Sequence, residues 1–120
     1  METLYSKIGP EKLRAVVDRF YDLVFSNEKI SHLFKTDKSL IRNKQYQFLT
    51  QFLGGPTLYT NDYGHPKMRM RHLPHEITQH AKEEWLVCMK QAIEETVEDK
   101  ELGEALFNCF PMIANHMVNR

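Results

Sequence analysis

Cysteine is scarce: only Cys88 and Cys109 occur in 120 residues, and they do not form a CxxC pair. A disulfide scaffold or a thiolate metal site needs more. Both lie in apolar helical patterns, where a free thiol behaves as a small hydrophobe, so two buried thiols are expected. Excess charge is also lacking, since 16 Lys and Arg balance 16 Asp and Glu. That excludes a nucleic acid held mainly through phosphate neutralisation, which needs a basic surface. Five glycines and five prolines leave no linker or low-complexity tract. No run approaches the roughly 20 apolar residues of a membrane span. The segment Met1–Leu13 has no signal-peptide core. A soluble, cytoplasmic protein with no membrane partner is the expectation.

What remains is an ordinary globular composition, 42% hydrophobic and 27% charged, at the length of one domain spanning 1–120. No run alternates at period two for long enough to make a strand, so the fold class is all-α. Pro10 opens a helix in which Leu13, Val16, Val17, Phe20 and Val24 recur at three- and four-residue spacing, with Tyr21 on the edge of that face. A short helical turn is predicted over Lys29 to Phe34. Thr36-Asp37 offers an N-cap to a helix whose inner face is Leu40, Ile41, Gln45, Phe48, Leu49 and Phe52. Gly54-Gly55-Pro56 stops it, and an irregular loop is expected to about Pro66. Lys67 to His72 suits a short helix. Thr78 caps a long one carrying Ala81, Trp85, Cys88, Met89, Ala92 and Ile93. The last helix carries Leu102, Leu106, Cys109, Phe110, Ile113 and Met117. Pro111 within it predicts a break near Phe107. So long an irregular connection between four main helices is unusual, and such loops often serve function.

Four of six histidines fall between 65 and 80. His72, His75 and either His65 or His80 are a conceivable metal site, yet Pro74 disrupts the helical spacing and no Cys or carboxylate joins them. Lys67, Arg69 and Arg71 precede His72 and read either as a solvated face or as a cationic rim for carboxylates of an apolar ligand. Tyr21, Gln45 and Trp85 are polar-tipped residues on apolar faces. Each alone reads as core with its tip satisfied. Together they read as donors around a buried small molecule. Glu94 and Glu95 belong to a solvated helix end. No nucleophile-and-base pair, phosphate loop or paired-carboxylate motif occurs.

The ordered set of Phe20-Tyr21, Lys44 to Pro56, Leu58-Tyr59-Thr60, Gly64-His65-Pro66, Met70 to Pro74 and Trp85 to Met89 resembles the group II truncated haemoglobins of bacterial type. The resemblance runs from about residue 4 to 118. It implies an all-α truncated globin, a two-over-two helical sandwich around haem b (iron protoporphyrin IX). It implies His72 as the metal ligand through a neutral imidazole nitrogen, with the other ring nitrogen held by an acceptor. Phe34 would pack on the porphyrin. Lys44, Tyr59 and Arg71 would reach the propionates. Ile41 would stand at the distal entrance, and Tyr21, Gln45 and Trp85 would line the distal side. Two positions depart from the pattern: Ile41 is often a small residue in this group, and His75 replaces an aromatic or apolar one.

The function implied is reversible binding of dioxygen and other small diatomic ligands, for oxygen transport, storage or sensing. Donors such as the Tyr21 O–H and Trp85 N–H stabilise a ligand that gains negative charge. A haem redox enzyme, a peroxidase or nitric-oxide dioxygenase, shares every residue. It would need an external reductase, because the chain has no flavin or iron–sulfur motif.

Overall fold

The computed structural model describes residues 2–34, 37–67, 70, 72 and 76–119. Seven α-helices have their bounds among these residues, which contain no strand. Helix α1, Leu4–Ile8, is too short to show in a periodic pattern. It rests on a capping box, in which Ser6 N donates to Thr3 Oγ1 at 3.0 Å and Thr3 N to Ser6 Oγ at 2.9 Å. Pro10 then starts α2, Pro10–Ser26, as expected. Its buried face is the predicted one with Tyr21 added, and Tyr21 is buried rather than marginal. A 3-10 turn, Ser31–Leu33, falls inside the predicted segment.

Helix α3, Lys38–Phe52, is capped by Asp37, whose side chain accepts from Leu40 N at 3.0 Å. Its buried face is narrower than the periodicity suggested: Leu40 and Phe52 are 44% and 43% exposed. Phe52 stacks on Phe48 with ring centres 5.8 Å apart. The Gly54-Gly55 stop is also a docking seat. A Cβ on Gly54, which has φ +101°, would lie 2.7 Å from Thr3, and one on Gly55 would lie 2.7 Å from the Tyr5 ring. Tyr5 N donates to Leu53 O at 3.0 Å, so α1 closes over the end of α3.

The segment to Pro66 is not wholly irregular. It holds α4, Leu58–Tyr63, whose six residues are tied to α3 by side chains. Gln51 Nε2 donates to Thr60 Oγ1 at 2.7 Å, Thr60 N donates to Gln51 Oε1 at 2.9 Å, and Gln47 Nε2 donates to Asp62 Oδ2 at 2.7 Å. A helix held from outside leaves no periodic signal in its own residues. Of the short helix predicted over Lys67 to His72, Met70 and His72 are helical; Lys67 is not, since its φ of +48° lies in the left-handed region; Met68, Arg69 and Arg71 lie outside the described residues, as does Thr36. Helix α5, Gln79–Thr96, is capped by Thr78, which accepts from Ala81 N at 3.0 Å. Helices α6, Lys100–Phe107, and α7, Phe110–Met117, are the last predicted helix broken at the expected place, with Pro111 in the first turn of α7.

Helix α2 packs on both α3 and α5, and α5 packs on α6 and α7. The pair α2–α3 lies over α5 with the broken α6–α7, the expected two-over-two arrangement. Phe20, Leu13, Val16, Val17, Met89 and Leu106 are fully enclosed between the layers, and each such side chain stabilises the fold by roughly 1.5–3 kcal/mol. Cys88 is buried, whereas Cys109 is only half-buried; both are free thiols. Among the described residues no helix is long and apolar enough to cross a membrane.

Candidate functional site

A cavity of about 260 Å³ opens between the two layers. Tyr21 of α2, Phe34 after the 3-10 turn, Ile41, Lys44 and Gln45 of α3, Tyr59 of α4, His72, and Trp85 of α5 all line it. Residues spread over 65 positions of the chain therefore meet at one place. Arg71 and His75 lie outside the described residues. Among the described residues, no group of three or more His, Cys, Asp or Glu comes together as a metal site.

The aromatic setting of two donors is well defined. Phe20 stands edge-on to Tyr21 and to Trp85, both at 4.9 Å between ring centres. Tyr21 also meets Phe25 at 5.6 Å and Phe34 at 6.0 Å, and Trp85 meets Phe110 at 5.7 Å. Rings locked this way cannot change rotamer without opening the core. Burial pushes the Tyr21 phenol pKa well up, weakly opposed by the Arg42 charge, so the group stays an O–H donor at neutral pH.

Among the described residues, Thr50 Oγ1 is the fully enclosed side-chain polar atom without a hydrogen-bond partner. Tyr21, Gln45 and Trp85, the residues with polar tips, line the cavity. Lys44 Nζ lies 4.6 Å from the Tyr63 ring centre, a cation–π contact. Tyr59, packed at 5.0 Å from Tyr63 and 5.9 Å from Phe48, continues that wall. Ile41 is half-buried and adds apolar bulk to the lining. The cavity thus combines an apolar lining, one imidazole, neutral O–H and N–H donors, and a cation beside a phenol. That donor set suits a flat apolar ligand carrying a metal and carboxylates.

The sequence reading missed part of this wall. Lys82, Ile77 and the α7 residues Ile113, Ala114 and Met117 also line the cavity. Lys82 precedes Trp85 by one helical turn, and that spacing places both on one face of α5. The α7 residues read equally well as ordinary core, and only the packing of α7 against α5 separates the two.

A family model described as bacterial-like globin matches residues 3–119. A group 2 truncated haemoglobin of Bacillus subtilis is 45% identical over 116 residues, 97% of this chain and 88% of the relative. Among solved structures, a truncated oxygen-avid haemoglobin from Bacillus subtilis superposes with a TM-score of 0.93 at 44% identity, covering 98% of this chain and 100% of that one. A group II truncated haemoglobin from Bacillus anthracis gives 0.94 at 42% identity, covering 99% and 98%.

Proposed function

Since the chain belongs to the bacterial-like globins, as a group II truncated haemoglobin, we propose that residues 1–120 act as one domain that holds haem b in the cavity and binds dioxygen reversibly. The observation that carries this reading is the convergence of Tyr21, Gln45, Trp85 and His72 on one apolar cavity. The similarity to a Bacillus subtilis protein described as oxygen-avid supports the same ligand.

The iron of bound protoporphyrin IX supplies the coordination position that a diatomic ligand takes. His72 offers a neutral imidazole nitrogen to that metal. Phe34 and Ile41 supply apolar surface to the porphyrin and exclude water. Lys44 and Tyr59 receive carboxylates, joined by Arg71 from outside the described residues. Tyr21 and Trp85 hold O–H and N–H donors toward the ligand, with the Gln45 amide beside them. In a dry pocket each hydrogen bond to a charged acceptor is worth roughly 1.5–3 kcal/mol. Two such bonds slow ligand release by orders of magnitude, at ~1.4 kcal/mol per tenfold.

The test is the absorption spectrum of the purified chain loaded with haem, reduced and then exposed to air, for wild type and His72→Gly. A sharp Soret band that shifts in air, and is lost or displaced in the variant, is the expected result. Weak uptake that His72→Gly leaves unchanged would overturn the assignment.

A further inference from the structure

Beyond α7 the chain turns back on itself. Val118 leaves the helix in extended conformation, and Asn119 then makes three hydrogen bonds to a distant segment. Its backbone N donates to Ile77 O at 2.9 Å. Its side-chain Oδ1 accepts from Ile77 N at 3.0 Å. Its Nδ2 donates to His72 O at 3.2 Å. The two side-chain bonds are part-buried and span 42 and 47 residues of sequence. One amide thus uses both its ends, the acceptor on Ile77 and the donor on His72.

Both segments that it joins are walls of the same cavity. His72 and Ile77 line it from one side of the clasp, and Ile113, Ala114 and Met117 of α7 line it from the other. Residues 76–78 have no helical or strand ladder of their own. Their backbone groups need outside partners, and Asn119 supplies them at Ile77. Aspartate at 119 would keep the acceptor and lose the donor; leucine would lose both.

We propose that Asn119 is a positioning residue for His72. Its amide fixes the His72 backbone and Ile77 against the end of α7, and so sets how the imidazole stands at the cavity wall and how firmly iron protoporphyrin is retained. The second half rests on the haem reading of the cavity; the clasp itself does not.

The experiment compares wild type, Asn119→Ala and Asn119→Asp. Backbone amide hydrogen exchange at Ile77 is read on the haem-free chain. Haem transfer to excess apomyoglobin and the iron–imidazole stretching band of the reduced form are read on the loaded chain. Wild type should protect Ile77, and Asn119→Ala should abolish that protection, lose haem roughly tenfold faster and displace or broaden the band. Asn119→Asp should keep Ile77 protected while still displacing the band, because it removes only the arm to His72. An unprotected Ile77 in wild type overturns the clasp. A band and a transfer rate unmoved by Asn119→Ala overturn the positioning role, even if that variant melts earlier. A wild type that takes up no haem overturns the reading of the cavity, and exchange at Ile77 then still decides the clasp. If Asn119→Ala does not fold, the Asp variant carries the same decision through the band alone.

Discussion

The cavity has two kinds of wall. Tyr21 and Trp85 stand on helices of 17 and 18 residues that pack on one another. Phe20 wedges between their rings from a fully enclosed position. On the other side Asn119 holds the His72 carbonyl and both backbone groups of Ile77. The first wall is fixed by buried apolar surface, which resists displacement because any movement opens a void. At His72 and Ile77 the second is tied by directional bonds from Asn119, each worth only about 1 kcal/mol net. A packed wall keeps the placement of Tyr21 and Trp85 constant, whereas the His72 side depends on directional bonds that single substitutions at Asn119 can remove.

The sharpest way to break this contrast is Phe20→Ala. It removes a fully buried aromatic that touches both donor rings, so it should cost about 3–5 kcal/mol of stability. The check is urea unfolding of the haem-free chain. The exchange rate of the Ile77 amide, corrected for the lower global stability, should stay as in wild type. A loss below about 1 kcal/mol would mean that the donor wall is not held by packing.

The same contrast explains what was legible in the sequence. The α2 face, the Asp37 and Thr78 caps, the Gly54-Gly55-Pro56 stop and the break before Pro111 are local. Each follows from residues within a turn or two, and each stands where it was expected. Helices α1 and α4 were not legible. Their five and six residues depend on Thr3 and Ser6, and on Gln47 and Gln51 reaching from α3. Leu40 and Phe52 fit the inner-face periodicity but stay exposed, because a hydrophobic period states which residues share a face and not how wide the covering layer is. At the site, Tyr21, Gln45 and Trp85 stood out as polar tips on apolar faces. Their meeting with His72 required the family resemblance. Lys82 and Asn119 have no outlying pattern at all, since their significance is wholly tertiary.

A smaller effect separates the two properties of the donor wall. The packing contacts of Tyr21 are made by its ring, and the residue lines the cavity. Tyr21→Phe should therefore leave the unfolding free energy within about 0.5 kcal/mol of wild type. It should speed oxygen dissociation at least about tenfold by deleting a donor to the bound ligand. Stopped-flow oxygen displacement reads the rate. A rate equal to wild type would remove Tyr21 from the ligand site, and a large loss of stability would give the hydroxyl a structural duty instead.

The smallest expected effect lies where the donor side is itself tethered. Ile30, Leu33 and Phe34 line the cavity from the segment after α2, and that segment is bound to α5 through Glu84. Its carboxylate accepts from Asn27 Nδ2 at 3.1 Å and from Lys29 Nζ at 3.2 Å, with His80 Nε2 at 4.0 Å. The Asn27 and Lys29 hydrogen bonds hold the Glu84 pKa below its ordinary value of 4.5, against a smaller opposing effect of desolvation. In the unfolded chain the carboxyl takes up its proton first as pH falls, so the unfolded state binds more protons there and stability rises with pH. The contribution is therefore complete above about pH 4.5 and is lost as pH drops through the depressed folded value. Glu84→Gln has no carboxylate to protonate. Its melting temperature should lie slightly below wild type at neutral pH and converge on it in acid, with Lys29→Ala giving part of the same change. Parallel melting curves for wild type and Glu84→Gln between about pH 6 and 3 would show that the Glu84 carboxylate does not tether the segment, and would leave the donor side fixed by packing alone.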